Sequence, residues 1–434
     1  MRPQQRRSKP RADRRPDPRP PAGPPAEFDI ETVGGEGDGV AAGPVFVPFS
    51  LPGERVRAQG SGERRELLEV LAASPDRIAP ACPHFFTCGG CALQHWAHEP
   101  YLAWKVERLA GTLARERIET EILPPVATSP GTRRRVTLHA RRGDRDQARL
   151  GYKARKSWDL VDIEVCPIAE PAIQAAIPAL KRLAARLFEH PKSAPSLHVT
   201  FTDTGLDVDI TGVEARSGGL GADARVQLAE RAAEADFARV TLNGEAAYMS
   251  RLPQVRLGPG RVNLPPGAFL QATKAAETAM ADFLAAAAVG ASRIADLYCG
   301  VGTFTFRLAE IAPTHGVDSA PEAVAALTAA LAGAPGLKGV TTEARDLARR
   351  PLLVHDLRHT DVAVFDPPRA GAAEQARELA GSGVARVIGV SCNAATFARD
   401  ARTLIDGGFR LERILPVDQF LWSPHVELVG VFSR

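Results

Sequence analysis

The sequence predicts an α/β chain with a doubly wound, mostly parallel sheet at its C-terminal end, preceded by a mixed α+β region and a small N-terminal β-barrel. Three observations carry this. Strand-like apolar runs alternate with Ala-rich helical runs from about residue 262 onward. A glycine-rich turn, Asp296-Leu297-Tyr298-Cys299-Gly300-Val301-Gly302, follows the first of those strands and opens a helix. Near the N-terminus, short β-prone runs are broken by Gly and Pro turns instead. Alternating elements cover both faces of a parallel sheet with helices, whereas short strands with polar turns close into barrels.

A chain of 434 residues exceeds one ordinary core. We delimit a basic tail at 1–23, the barrel at 24–77, a central domain at 78–261 and the doubly wound domain at 262–434. The tail holds eight Arg or Lys against Asp13 and Asp17 within its first 20 residues, so the net charge of +3 becomes −3 for the rest. Its Pro- and Arg-rich composition cannot bury enough apolar surface to fold alone. It suits loose attachment to phosphate, and equally a solubilising extension. Ala-rich stretches stop short of the ~20 apolar residues of a membrane span, and no apolar segment follows the basic N-terminus. We therefore expect a cytoplasmic protein without membrane contact, and a monomer.

The barrel strands are expected at Glu27–Ile30, Pro44–Pro48 and Arg55–Ala58, with Gly34, Gly35, Gly37 and Gly39 between the first two. The central region reads as a helix at His98–Arg115, strands near Arg134–Ala140 and Leu150–Tyr152, a helix near Pro171–Phe188, then strands at Leu197–Thr202 and Leu206–Thr211. The C-terminal strands are expected at Arg293–Cys299, Thr314–Asp318, Gly339–Glu343, Asp361–Phe365, Ala385–Ser391, Arg410–Val417 and Val426–Phe432. The last two lack an intervening helix and should form an antiparallel hairpin at the sheet edge.

Ligands of such sheets bind at the carboxyl ends of the strands, and the chemistry-bearing residues cluster there. Gly300 and Gly302 let backbone approach a ligand at a helix N-terminus, although a lone Gly-x-Gly is also an ordinary tight turn. Asp318 ends the second strand, where a carboxylate can accept both hydroxyls of a ribose, and Asp346 follows the third, placed for an adenine amino group. No Walker-type Lys is present, which disfavours nucleoside triphosphate hydrolysis. Asp366-Pro367-Pro368-Arg369 ends the fourth strand with a stiff loop. Arg369 stands where amino-group methyltransferases carry an aromatic residue and where cytosine-5 methyltransferases carry a cysteine. Cys392, in Ser391-Cys392-Asn393, sits past the fifth strand as a candidate nucleophile, and Glu427, in His425-Val426-Glu427, as a candidate base.

A second constellation is Cys82-x5-Cys88-x2-Cys91 with Cys166 downstream. Four thiolates suit a closed zinc site or a [4Fe–4S] cluster, and spacing alone leaves both open. His84 and His95 read as packing or RNA contacts. Arg133-Arg134-Arg135 and Lys153–Lys156 read as basic patches, on RNA or simply solvated.

Taken in order, Asp-Leu-Tyr-Cys-Gly-Val-Gly-Thr-Phe, Asp-Pro-Pro-Arg, Ser-Cys-Asn and His-Val-Glu resemble the RNA uracil-5 methyltransferase family, above all its bacterial branch acting on 23S ribosomal RNA. The resemblance spans residues from about 25 to 434. It implies a Rossmann-like domain that binds S-adenosylmethionine through Gln271, Tyr298, Gly300, Asp318, Asp346 and Asp366. It also implies Cys392 adding to C6 of a uracil, and Glu427 removing the C5 proton. The cluster-bearing members match Cys82, Cys88, Gly89-Gly90-Cys91 and Cys166, which implies a [4Fe–4S] cluster over zinc, and the first region is similar to the TRAM RNA-binding barrel, an OB-like fold. The implied partner is RNA, ribosomal before transfer RNA. Thr273, Thr303, Asp318 and Ala394 depart from the family's usual Asn, Asn, Glu and Pro. A radical methylthiotransferase is disfavoured by the fourth cysteine, and a non-catalytic RNA-binding protein by the joint presence of Cys392, Glu427 and Asp366.

Overall fold

The protein is described by a computed structural model covering residues 23–143, 147–190, 192–213 and 219–434. The basic tail expected over residues 1–23 lies, apart from Gly23, outside the described residues. The chain divides into two compact units, one ending at Arg77 and one running from Ile78 to Arg434.

In the first unit, strands Ala26–Val33, Asp38–Ala41, Val45–Pro48, Arg55–Gln59 and Glu66–Ala72 form a five-stranded antiparallel sheet. Phe46 accepts from Arg65 N (2.9 Å) and donates to Glu63 O (2.7 Å), tying the two ends of the sheet together. The sheet so curls into a small barrel around Ile30, Val47, Val56 and Ala58. Strand Asp38–Ala41 begins within the run read from sequence as a turn. A Cβ at Gly39 would lie 2.1 Å from Ser50 Oγ, so this glycine serves close packing of a strand rather than a bend.

The second unit contains two large sheets. The first is seven-stranded, in the order Leu160–Asp162, Arg149–Lys153, Arg135–Arg141, Ser196–Thr202, Gly205–Thr211, Arg239–Leu242, Glu245–Met249. Alternation along its strands buries Val136, Leu138, Leu150, Leu197 and Val199 against helices Pro171–Ala184 and Ala222–Glu234. The opposite face carries Arg135, Thr137, His139 and His198, joined by Thr137 Oγ1 to His198 Nδ1 (3.0 Å) and His139 Nδ1 to Ser196 Oγ (3.0 Å).

The second sheet is nine-stranded. Val340–Ala344, Thr314–Asp318, Ile294–Leu297, Val362–Phe365 and Arg386–Ser391 run parallel in that spatial order, with a helix between consecutive strands in sequence except from Val340–Ala344 to Val362–Phe365. This is the doubly wound α/β architecture expected. Arg410–Asp418 and Glu427–Ser433 do pair antiparallel, but the last strand inserts beside Arg386–Ser391 and the hairpin is not the edge. The edge is instead taken by Glu121–Ile122 and Val126–Ala127, both parallel to Arg410–Asp418. These two-residue strands are too short to leave a periodic signal in the sequence.

Helix His98–Arg115 accompanies them. Its Leu109 and Leu113, with Ile118, join the core formed by Leu297, Phe365, Phe397 and Phe432 of the C-terminal sheet. The same helix buries Lys105 against Asp418 (Nζ to Oδ1, 2.5 Å), each side chain about 1% exposed. Lys105 also donates to Phe420 O (3.3 Å), and Tyr101 Oη accepts from Trp422 N (2.9 Å). Trp422 holds a left-handed backbone (φ 58°) that costs a non-glycine residue of order 1–2 kcal/mol. Among the described residues, no helix is long and apolar enough to cross a membrane.

Removing one partner of a buried pair leaves an uncompensated charge, at a cost of about 3–5 kcal/mol. Lys105→Met should lose about that much stability in chemical denaturation, and Lys105→Met combined with Asp418→Leu should recover most of it. Equal loss in single and double variants would mean the pair is not what holds this loop.

Candidate active site

Turns at the carboxyl ends of the parallel strands and the hairpin loop before Glu427 enclose a cavity of about 1360 Å³. Its wall includes Gln271, Tyr298, Gly300, Asp318, Asp366, Cys392 and Glu427. Asp346 is not part of that wall. Its Oδ1 accepts from Ala348 N (3.0 Å) in its own turn, and its carboxylate reaches Arg349 (3.5 Å).

The glycine turn has a definite geometry. Tyr298 is left-handed (φ 64°), as are Gly300 (φ 54°) and Gly302 (φ 95°). A Cβ at Gly302 would come within 2.6 Å of Leu327 Cδ1, so glycine is required by space as well as by φ. Asp318 Oδ2 accepts from Gly300 N (2.9 Å) and Oδ1 from Ala320 N (2.8 Å). Each oxygen keeps a lone pair, which leaves the carboxylate able to receive ligand hydroxyls. Cys299 beside it is buried and its thiol is pushed well up, by burial first and then by Asp296 and Asp318, so it is the inert cysteine of the pair.

Cys392 is half-buried at the end of strand Arg386–Ser391, and helix Ala394–Asp406 starts two residues on. Asn393 caps that helix by accepting from Ala395 N (3.1 Å), while its Nδ2 donates to Arg369 O (3.2 Å). Burial and the Glu427 carboxylate raise the Cys392 thiol, and the Arg369 guanidinium opposes them through charge and a hydrogen bond. Arg369 Nη2 also lies 3.2 Å from His425 Nε2. Partial burial and the cations Arg369, Lys105 and Arg108 push His425 down to about 4, so the ring is neutral and that nitrogen accepts.

Two further acids face inward. Burial raises Asp366 to about 7, against a hydrogen bond from Gln271 Nε2 to its Oδ2 (3.0 Å). Glu427 is raised well above the carboxylate range by burial and by Asp366, against a bond from Gln419 Nε2 to its Oε2 (2.7 Å). Gln419 Nε2 donates to Gln271 Oε1 as well (2.8 Å), and Gln419 Oε1 accepts from Ala272 N (2.8 Å). Two amides thus link Asp366 and Glu427 through one fixed chain. Sequence reading missed Gln419 and the role of Arg369 beside the thiol. An interior Gln on an apolar strand, Leu415-Pro416-Val417-Asp418-Gln419, was the available signal.

Residues from the seven-stranded sheet seat this wall. Arg134 is buried, pairs with Glu277, donates to Gln271 O (3.0 Å) and accepts no solvent role. The basic-patch reading therefore fails for Arg134. Arg135, lowered to about 10 by burial and by Arg134 and Arg133, donates to Leu270 O and lies over the exposed Phe269 ring (4.7 Å). Two of the family departures have a structural account. Thr273 caps helix Lys274–Ala288 by accepting from Ala276 N (3.1 Å), and Ala394 takes the first helical position, where Pro is favoured but not needed.

Cys82, Cys88, Cys91 and Cys166 line the same cavity. Their charges oppose one another: burial first, and then the other thiols, push Cys88 up to about 11 and Cys91 up to about 12. Gly90 N points at Cys88 Sγ (3.4 Å), and a Cβ at Gly89 would sit 2.7 Å from Lys153 O. Ala92 N and Leu93 N both donate to Trp422 O (2.8 and 3.0 Å), joining the cysteine loop to the loop before Glu427. Among the described residues, no group of three or more His, Cys, Asp or Glu side chains is placed to hold a metal ion. His95 is fully buried against Phe85 (5.3 Å), and His84 Nε2 accepts from Glu164 N (3.1 Å).

Comparison with known proteins places the chain in a family. The family profile described as tRNA (Uracil-5-)-methyltransferase matches residues 260–434. An uncharacterised RNA methyltransferase of Caulobacter vibrioides is 60% identical over 94% of this chain and 100% of its own length. The 23S rRNA (uracil(1939)-C(5))-methyltransferase RlmD of Chromohalobacter salexigens is 34% identical over 93% of this chain and 88% of its own. The chain belongs to the RNA uracil-5-methyltransferase family. A crystal structure of Pyrococcus abyssi tRNA (uracil-54, C5)-methyltransferase in complex with S-adenosyl-L-homocysteine shares its fold, with a TM-score of 0.72 and 25% identity over 94% of this chain and 99% of that one. The protein is accordingly an S-adenosylmethionine-dependent RNA methyltransferase.

The opposed influences on Cys392 can be measured. Site-resolved alkylation by iodoacetamide, read by peptide mass spectrometry against pH, should place the Cys392 midpoint above that of an ordinary thiol. Arg369→Gln removes the group that favours the thiolate, so its midpoint should move higher still. An unchanged midpoint would show that Arg369 does not act on the sulfur.

Proposed function

We propose that this enzyme methylates C5 of a uridine in ribosomal RNA through a covalent Cys392–C6 adduct. The observation that carries the reading is Cys392 facing Glu427 and Arg369 in one cavity. S-adenosylmethionine supplies an electrophilic methyl group when bound. The glycine turn, Asp318 and Tyr298 suit its adenosyl part, and Gln271, Asp366 and Glu427 suit its cationic end, because raised acids ionise more readily beside a positive charge. Asp346 sits beside Tyr298 electrostatically and would act from outside the cavity wall.

Cys392 as thiolate adds to C6, and the C5=C6 pair moves into the ring as an enolate. C5 then takes the methyl group, and the pair of the broken methyl–sulfur bond stays on the departing thioether. Glu427 removes the C5 proton, the C5=C6 bond re-forms and the C6–S bond breaks, returning the Cys392 thiolate. A base with a raised pKa suits that step, and Gln419 Nε2 orients the carboxylate through its Oε2. The exposed Phe269 beside Gln271 suits reception of an unstacked base.

Cys82, Cys88, Cys91 and Cys166 are proposed to hold a [4Fe–4S] cluster, with one zinc ion as the alternative occupant. Support lies in donor chemistry, four cysteines lining one cavity with a backbone amide aimed at Cys88 Sγ, rather than in a formed metal shell. Its role would be structural, pinning the loop that hydrogen-bonds Trp422. The N-terminal barrel is proposed as a TRAM-like RNA-binding unit, with residues 78–261 and 262–434 as central and catalytic domains of a cytoplasmic monomer. Ribosomal RNA is favoured because the full-length RlmD relative is named for it; a transfer RNA substrate is the second reading, favoured by the Pyrococcus fold match.

Nucleoside mass spectrometry of ribosomal and transfer RNA, from cells with and without the gene, should show 5-methyluridine lost from ribosomal RNA and restored by the wild-type chain. Cys392→Ala should restore nothing. Glu427→Gln should accumulate a denaturation-resistant protein–RNA adduct, since the C5 proton then has no acceptor. Unchanged 5-methyluridine in both RNA classes would overturn the uridine reading. Anaerobically purified protein should contain about four irons and matching sulfide per chain, largely lost in Cys88→Ser; stoichiometric zinc instead would reassign the site.

A further inference from the structure

The cavity wall does not end at the reacting residues. Arg135, Thr137, His198 and Thr200 line it from the outward face of the seven-stranded sheet. That face continues through His139, whose imidazole is held down by burial and then by Lys153, Arg141 and His198. It ends at the hairpin joining Arg149–Lys153 to Leu160–Asp162, where Trp158 is 79% exposed. Lys153 Nζ lies 3.9 Å from the centre of the Trp158 ring. The established reaction has no use for either side chain.

We propose that Trp158 is a stacking platform for an unpaired base of the RNA strand whose target uridine enters the cavity. An exposed indole at a hairpin tip gains nothing from the core, and its neighbours are cations suited to phosphate: Lys153, Arg155 and Lys156 lie in the same turn. The platform is rigid. Ala154 N donates to Asp159 O (2.8 Å), Ser157 N to Ala154 O (3.1 Å), and Ser157 Oγ to Asp159 Oδ2 (2.8 Å). Gly89 N donates to Lys153 O (3.0 Å), and the close approach at Gly89 fixes the hairpin to the cysteine loop. Tyr152, one residue before Lys153, lines the cavity and has its hydroxyl 3.6 Å from Cys166 Sγ. A base held on Trp158 is therefore registered against the wall that carries Cys392 and Glu427. Lys153 covers one face of the indole and leaves the other for the base, while its charge meets the adjoining phosphate.

The proposal requires only that the protein bind single-stranded RNA, so it stands or falls on binding, whereas the uridine-C5 reading stands or falls on nucleoside analysis. Trp96 and Trp104 are buried, at 5% and 6% exposure, and Trp422 is partly buried in the loop before Glu427, so Trp158 is the most exposed of the four tryptophans and the one most open to quenching by a base. Intrinsic fluorescence of the full chain should be titrated with an oligouridylate of roughly ten nucleotides, with an oligoadenylate of the same length, and with the RNA duplex the two form together. The single-stranded probes should quench the emission and the duplex should not, and Trp158→Phe should lose the quench while still binding. Trp158→Ala should weaken single-strand binding by roughly 5- to 150-fold, the span of one lost base–aromatic stack, with Trp158→Phe recovering most of it. KM for RNA should rise in Trp158→Ala with kcat unchanged, and its melting temperature should match wild type. Wild-type affinity in Trp158→Ala, full quenching in Trp158→Phe, or no binding of either single-stranded probe would each overturn the proposal.

Discussion

The loop from Asp418 to Glu427 must be held still, because Glu427 and the Gln419–Gln271 link that orients Asp366 are positioned from it. Lys105 and Asp418 do this by meeting at 2.5 Å beneath the Tyr101 ring, with each side chain about 1% exposed. Burying two charges is expensive and their attraction in a dry site returns that cost only if geometry is good. The pair is therefore better understood as fixing one conformation than as adding stability. From it hang Gln419, which orients Glu427; Phe420, whose carbonyl Lys105 also holds; and Trp422, whose carbonyl receives the cysteine loop.

The cavity's electrostatics follow from this rigidity. Asp318, Asp366 and Glu427 line one cavity with the Arg369 guanidinium and with His425, which stays neutral. Asp366 and Glu427, buried side by side, resist ionisation, so the site without ligands is poised to accept positive charge. A cationic methyl donor is the ligand such a wall favours. The same burial makes the thiol reluctant to ionise, and the placement of Arg369 directly against Cys392 answers that need locally without neutralising the acids.

The loop also explains why a cysteine-rich segment far upstream in sequence matters to the C-terminal chemistry. Ala92 and Leu93 follow Cys91 directly and both donate to one carbonyl of the left-handed Trp422. A displacement of the cysteine loop has to move either that strained residue or the hydrogen bonds that anchor it. The coupling is short-range, through backbone hydrogen bonds alone.

Much of the C-terminal half was legible in the residues themselves. Strand periods, the glycine turn and the strand-end placement of Asp318, Asp366 and Cys392 are local properties, because a parallel sheet exposes its reactive edge wherever strands end. Helix His98–Arg115 was legible for the same reason, as an amphipathic run of ordinary length. What local pattern could not convey was which surfaces meet. That this helix and the strands Glu121–Ile122 and Val126–Ala127 complete the C-terminal sheet depends on pairings across some 290 residues, and two-residue strands carry no periodicity. That Arg134 is buried, while its neighbour Arg135 lies over Phe269, depends on partners at Glu277 and Gln271. Gln419 acquires its meaning only when Gln271 and Glu427 arrive on either side of it. The sequence by itself determined the element types and the chemical repertoire, since both are properties of neighbouring residues; only the tertiary structure decided which charges lose their water and which amides face which acids, since desolvation and hydrogen-bond partners are set by distant parts of the chain.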